Sequence, residues 1–170
     1  YMRGRNEEVV GEVMKTKRDK VFLATKVPPG SQGEMLSMME TSLKRLQTDH
    51  VDLMLLHDVS SRNRTLNNDL MKCLENAKKK GICRFVGVST HSNQAEVLDA
   101  VVESKFWEAV LVGYNYFSPP NVKPAIERAR KAGIAIIGMK NLLNPSTNPW
   151  TALKDIRKDK NSNIKPAQAL

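Results

Sequence analysis

Three side chains that together could reduce a carbonyl are a phenol, an ammonium and an imidazole, and this chain offers them as Tyr1, Lys26 and His57. Hydride delivery turns a carbonyl into an alkoxide, which needs a proton and a donor aimed at the developing charge. A phenol, with a pKa of about 10, is a poor acid at neutral pH, but a neighbouring ammonium favours phenolate and draws that value toward the working range. An imidazole at hydrogen-bond distance can orient the carbonyl. On this reading Tyr1 donates the proton, Lys26 tunes it and His57 positions the substrate. Each residue also has a plainer reading: Tyr1 as a terminal side chain, Lys26 as a solvated lysine before Val27, Pro28 and Pro29, and His57 as a core histidine satisfied by Asp58 or a backbone carbonyl. Only the set is informative.

The wider pattern is that five apolar runs each stop on a polar or ionisable residue. VFLATK ends at Lys26, VDLMLLH at His57, FVGVSTH through Ser89, Thr90 and His91, VLVGYN at Tyr114 and Asn115, and IAIIGMK at Lys140. Polar groups always at the same end of the run point to a shared mouth.

The elements that must hold these residues alternate between amphipathic helix and buried strand. Asn6 is placed to cap a helix with Glu7 and Glu8 in its first turn and an inner face of Val9, Val10, Val13 and Met14. Ser31 and Glu34 have capping-box spacing ahead of Leu36, Met39, Leu43 and Leu46. Leu70, Met71, Leu74 and Ala77 predict a third helix that stops at Gly81 after three lysines. Ser92 is expected to cap the helix carrying Val97, Leu98 and Val101, and Pro119 and Pro120 precede one that closes at Gly133.

Strand starts near residues 21, 51, 83, 109 and 134 give units of about 25 to 32 residues, the length of a strand, a crossover helix and a parallel strand. The strands are apolar on both faces, as a covered parallel sheet requires. No G-x-G-x-x-G or P-loop is present to suggest an open nucleotide-binding sheet. A polar residue at every strand end is what a (β/α)₈ barrel predicts, because all its strand C-termini converge on one mouth. Such a barrel typically takes about 250 residues, so five strands in residues 1–170 read as a single incomplete TIM-barrel domain, truncated at both ends. Residues 144–163, with Pro145, Pro149 and Trp150, read as a long connection after the fifth strand.

The chain has 170 residues, 41% apolar and 26% charged, the balance of one globular domain. No run approaches the roughly 18 apolar residues that cross a bilayer, and no signal peptide opens the sequence, which sets the expectation of a cytoplasmic protein without a membrane partner. The net charge of +9 gathers at helix ends such as Lys78, Lys79 and Lys80, without aromatic interleaving, so nucleic acid is not an expected partner. Cys73 and Cys83 lack metal-site or redox spacing and read as reduced structural thiols, and no metal is expected.

GRNEEVVGEVMKTKRDKVFLATK, SLKRLQTDHVDLMLLH, KKGICRFVGVSTHS, the YNY at residues 114–116 and AGIAIIGMKNL, in that order and spacing, resemble the aldo-keto reductases. The resemblance covers essentially the whole chain. It implies strands three to seven of an eight-stranded barrel that reduces aldehydes or ketones, its small-molecule substrates, with NADP(H) or NAD(H). Tyr1, Lys26 and His57 match the family's proton donor, its lysine and its histidine. The resemblance further assigns Ser89, Thr90, Tyr114, Met139 and Lys140 to the cofactor wall. Thr90 stands where the family has an asparagine, Leu111 where it has a glutamine, and Met139 where an aromatic ring usually stacks on the nicotinamide. The GMK ending and the run from His57 to Ser60 resemble a bacterial branch that often carries a C-terminal iron-sulfur segment; a cluster is implied only if such a segment follows, since no cluster cysteines occur here. Two other readings stay open: a degenerate barrel that binds a nicotinamide cofactor as a sensor or interaction subunit, and a chain inactive by itself because two barrel edges are exposed.

Overall fold

The computed structural model describes residues 4–141. Tyr1 and the connection over residues 144–163 lie outside the described residues. In chain order the elements are α1 (Arg5–Lys17), β1 (Ala24–Val27), α2 (Gln32–Leu46), β2 (Val51–Leu56), the one-turn α3 (Arg62–Thr65), α4 (Asn68–Lys79), β3 (Cys83–Thr90), α5 (Gln94–Ser104), β4 (Ala109–Gly113), α6 (Val122–Lys131) and β5 (Ala135–Met139).

Local chemistry sets most of these boundaries. The Ser31 hydroxyl accepts from the Glu34 amide at 3.4 Å while the Glu34 carboxylate accepts from the Ser31 amide at 2.9 Å, closing the expected capping box of α2. Asn67 caps α4 by accepting from the amides of Asp69 and Leu70, both at 3.0 Å. Gly81 and Gly133 follow α4 and α6 at φ +75° and +85°, a backbone region that glycine enters without strain.

Four expected details come out differently. Helix α1 starts at Arg5 with Gly4 as its N-cap at φ 90°, so Asn6 lies inside the helix instead of capping it. Its buried positions are Glu7, Gly11 and Met14, while Val9 and Val13 stay 64% and 52% exposed. The cause is Gly11, where an added Cβ would collide with the Arg45 carbonyl of α2, so the two helices approach on that face. At α5 the N-cap is Asn93 with φ 50°, and the Ser92 carbonyl instead accepts from the Thr90 hydroxyl at 2.8 Å. The first strand ladder begins at Ala24, not at Val21, because the Leu23 amide donates to the Asp52 carboxylate at 2.8 Å.

The sheet is all parallel with strand order β1-β2-β3-β4-β5, so each strand lies beside its sequence neighbours and the order never reverses. Parallel registers include Lys26 beside Leu55, Leu55 beside Gly87, Ser89 beside Leu111 and Gly113 beside Met139. Side chains alternate across the sheet. Met54, Leu56, Val86, Val88, Val110 and Val112 face the helices in one large core with Met35, Met39, Leu74, Leu98 and Val101. Leu53, Leu55, Ala109 and Leu111 form a second cluster on the other face, and among the described residues no helical one joins it. The described helices lie on one side of a sheet with an apolar inner face, the geometry of a barrel arc, not of a sheet wound on both faces.

Candidate active site

The inward alternation that buries Leu53 and Leu55 carries Lys26 and His57 onto the same inner face at the C-terminal end of the arc. The His57 amide donates to the Val27 carbonyl at 2.8 Å, which extends the β1–β2 ladder one step and sets the imidazole beside the end of β1. Burial pulls the Lys26 ammonium below the usual lysine range. Burial likewise holds the His57 imidazole below its ordinary value, and the Lys26 charge pushes it further down, against an opposing pull from Asp58. His57 is therefore mainly neutral near pH 7 and can donate a hydrogen bond from one ring nitrogen.

Ser89 sits under this pair. It is fully buried, its hydroxyl accepting from the Asp58 amide at 3.1 Å and reaching the Leu56 carbonyl at 3.5 Å. Its carbonyl accepts from the Val59 amide at 2.8 Å. Thr90 is also fully buried, lies in register with Val112 on the helix side, and spends its hydroxyl on Ser92. Tyr114 packs against the same helix-side core, with its amide donating to the Met139 carbonyl at 3.1 Å. Met139, level with Gly113, ends β5 on the inner face, and Lys140 follows in the left-handed region at φ 58°. The Asn115 side-chain amide donates to the Lys140 carbonyl at 3.3 Å and ties the last two strand ends together.

The structure thus brings Lys26, His57, Ser89, Met139 and Lys140 to one mouth, while Thr90 and Tyr114 belong to its supporting layer. It adds His91, which residue types alone left without a role. Burial lowers the His91 imidazole below its usual value, and the charges of Lys140, His57 and Lys26 lower it further, with Asp58 opposing. His91 directly follows β3, the central strand between β1 and β5. The clue available in the sequence was position: His91 is two residues beyond Ser89, on the same alternation. Among the described residues no group of three or more His, Cys, Asp or Glu could hold a metal ion, and no helix is long and apolar enough to cross a membrane.

The lysines Lys26 and Lys140, with the neutral imidazoles of His57 and His91 and the carboxylate of Asp58, make this end of the arc polar. The model of the aldo/keto reductase family matches residues 1–166. The chain belongs to this family. It is 28% identical over 149 residues to an uncharacterized oxidoreductase, YqkF of Bacillus subtilis (strain 168), covering 79% of this chain and 47% of that protein. Its fold is that of a holo-form aldo-keto reductase from Bacillus halodurans, with a TM-score of 0.76 and 21% identity over 96% of this chain and 62% of that one. An aldo/keto reductase from Klebsiella pneumoniae in complex with NADP and acetate superposes with a TM-score of 0.67 at 26% identity, covering 81% of this chain and 48% of its own. The chain spans about half the length of the curated relative it matches over most of itself. The five described strands are an arc of the aldo-keto reductase barrel.

Proposed function

We propose that the protein carrying this chain reduces an aldehyde or ketone to an alcohol with a nicotinamide dinucleotide, NADP(H) or NAD(H). The observation that supports this most directly is the placement of Lys26 and His57 on one inner face at adjacent strand ends, close enough for the ammonium to lower the imidazole. When bound, the reduced nicotinamide supplies the hydride. Neutral His57 donates a hydrogen bond to the substrate oxygen and fixes the carbonyl. Tyr1 passes its proton to that oxygen, completing the alcohol, and the Lys26 ammonium stabilises the phenolate left behind. Lys140 and the inner end of β5 hold the dinucleotide alongside. The five strands form part of a single barrel domain, and the two buried, unpaired cysteines fit a cytoplasmic setting.

The test is consumption of reduced nicotinamide by the complete natural protein across a panel of aldehydes and ketones, with Tyr1→Phe and Lys26→Met alongside. Loss of a positioned proton donor should cost about 10²- to 10⁴-fold in kcat. Equal rates in wild type and Tyr1→Phe would refute the assignment.

A second reading is favoured by one specific feature: Ser89 and Thr90 have their hydroxyls committed to the main chain, and Leu111 is apolar. With that wall diminished, the barrel would bind the dinucleotide as a sensor without turnover. Binding seen by calorimetry with no reduction of any substrate supports this reading; Tyr1-dependent reduction excludes it.

A further inference from the structure

We infer that Glu7 is a positioning residue for proton transfer: its buried carboxylate, bonded to Thr25 on one side and paired with Arg45 on the other, fixes the segment that carries Tyr1 against the strand that carries Lys26. This rests on the reductase reading of the mouth, with Tyr1 as proton donor and Lys26 as the group that tunes it. Three observations carry it.

The first is the bond to β1. The Thr25 hydroxyl donates to Glu7 Oε1 at 2.8 Å, and both residues are buried. Thr25 immediately precedes Lys26 on a strand of only 4 residues, and successive side chains alternate across the sheet. Thr25 therefore grips α1 on the helix side while Lys26 faces the mouth, and a shift of one carries the other with it.

The second is the hold on α1 from α2. Gly4, Glu7 and Gly11 are spaced by three and four residues, which puts them on one face at the start of α1, and Arg45 meets all of them. Its guanidinium leaves no room for a Cβ at Gly4, its Nη1 lies 3.6 Å from Glu7 Oε2, and its carbonyl leaves no room for a Cβ at Gly11. Tyr1 stands three residues before Gly4 in the chain, so this contact sets where its segment enters the helix.

The third is the kind of contact. Glu7 is buried, and its Oε2 faces the Arg45 guanidinium with no hydrogen bond among the described residues. A buried ion pair adds little stability over apolar packing, because desolvation offsets the attraction; its best-attested use is to hold one arrangement against near alternatives. The arrangement held here joins α1, which continues from Tyr1, to β1, which carries Lys26.

The experiment measures kcat, KM and the pH profile of the complete natural protein on the carbonyl compound it reduces fastest in the panel above. Reduction needs the phenol protonated, so the rate falls above the phenol's pKa, and a displaced ammonium lets that pKa rise toward about 10. Thr25→Val keeps the side-chain shape without the hydroxyl; it should lower kcat by about 10- to 100-fold, move the basic limb to higher pH, and leave KM and NADPH affinity within about threefold of wild type. Thr25→Ser restores the hydroxyl and should recover both kcat and the limb. If Thr25→Val does not fold, Arg45→Met reads the same quantities at a partly exposed residue, with the same fall and shift expected. Lost stability with wild-type kcat and limb would assign the cluster to the fold alone, and a lower kcat with an unmoved limb would show that the Tyr1–Lys26 geometry is intact. Either result overturns the inference, as does a Thr25→Ser variant as impaired as Thr25→Val. Wild-type protein that reduces no carbonyl would instead overturn the reductase reading itself.

Discussion

The Asp58 amide donates to the buried Ser89 hydroxyl across 3.1 Å, so the residue that follows His57 is fastened to the central strand from below. Asp58 has a φ of 53°, a left-handed turn that a non-glycine residue holds only when its surroundings fix it. The Val59 amide, donating to the Ser89 carbonyl at 2.8 Å, completes the clamp. Ser89→Ala leaves the part-buried Asp58 amide without its acceptor, and because Asp58 is exposed to water the cost should be about 1 kcal/mol. Denaturant unfolding of the complete protein should show this loss. The kcat should fall as well, because the His57 ring loses its support, while binding of the cofactor should change little. A variant with wild-type stability and a weakened cofactor would instead put the Ser89 hydroxyl on the nicotinamide.

His57 and His91 both titrate below the ordinary histidine range, each chiefly because burial disfavours its charged form. A folded pKa lower than the unfolded one means that the unfolded state binds the proton more readily. The stability contributed by the neutral rings is therefore complete above about pH 6.5 and is lost as pH falls below that value toward the folded pKa. Unfolding free energies should decline over that acid interval, and His91→Gln should flatten the decline. Lys26→Met removes a charge that lowers both rings, so their NMR titration midpoints should rise. Unmoved midpoints would show that Lys26 does not act on them.

Much of this arrangement is legible in residue order. The runs ending at Lys26, His57, Ser89 and Lys140 become parallel strand ends because burial on both faces and helix-length spacing leave few other topologies. What the residue types do not record is how a chain enters a helix. Asn6 and Ser92 have the right chemistry to cap, yet Gly4 and Asn93, each at a positive φ, occupy those positions. The exposed stripe of Val9 and Val13 also misleads, since helical period specifies an apolar face but not which neighbour approaches it. There Gly11 decides, through the close contact with Arg45. His91 is obscure for a related reason: that its Nδ1 is buried without a partner among the described residues is set by packing, which residue types do not record.

Trp107 offers a test of how the one-turn α3 is held. Its ring is 2% exposed, and its indole nitrogen donates to the Thr65 carbonyl at 3.0 Å, anchoring the segment between β2 and α4. Trp107→Phe keeps most of the apolar contact but leaves that carbonyl unpaired, and should cost about 1–3 kcal/mol. Hydrogen exchange should then quicken at the amides of Thr65 and Leu66, which donate to the carbonyls of Ser61 and Arg62. Unchanged protection there would show that α3 is held by its own caps.

Asp52 governs the opposite end of the arc. Its carboxylate is nearly buried, accepts from the Leu23 amide at 2.8 Å, and pairs with Arg18 at 3.0 Å and Arg84 at 2.8 Å. Burial alone would raise its pKa, but the Leu23 amide and the two guanidiniums outweigh that and hold the carboxyl below the usual aspartate range. With a folded pKa below the unfolded one, this contribution to stability is complete above about pH 4 and is lost as pH falls through the lowered folded value. Asp52→Ala strips two arginines and a main-chain donor of their shared acceptor, and removing one partner of a buried pair costs about 3–5 kcal/mol. Arg84 is largely exposed, so water takes over part of that loss and the lower end of the range is expected. The measurement is denaturant unfolding of wild type and Asp52→Ala at pH 7 and pH 3. The gap between them should narrow at the lower pH, where the unfolded-state carboxyl takes up a proton more readily than the native one. Since Asp52 lies at the strand ends away from Lys26 and His57, kcat measured well below the melting temperature should stay within about twofold of wild type. A large fall in kcat with unchanged stability would contradict a purely structural role for this cluster.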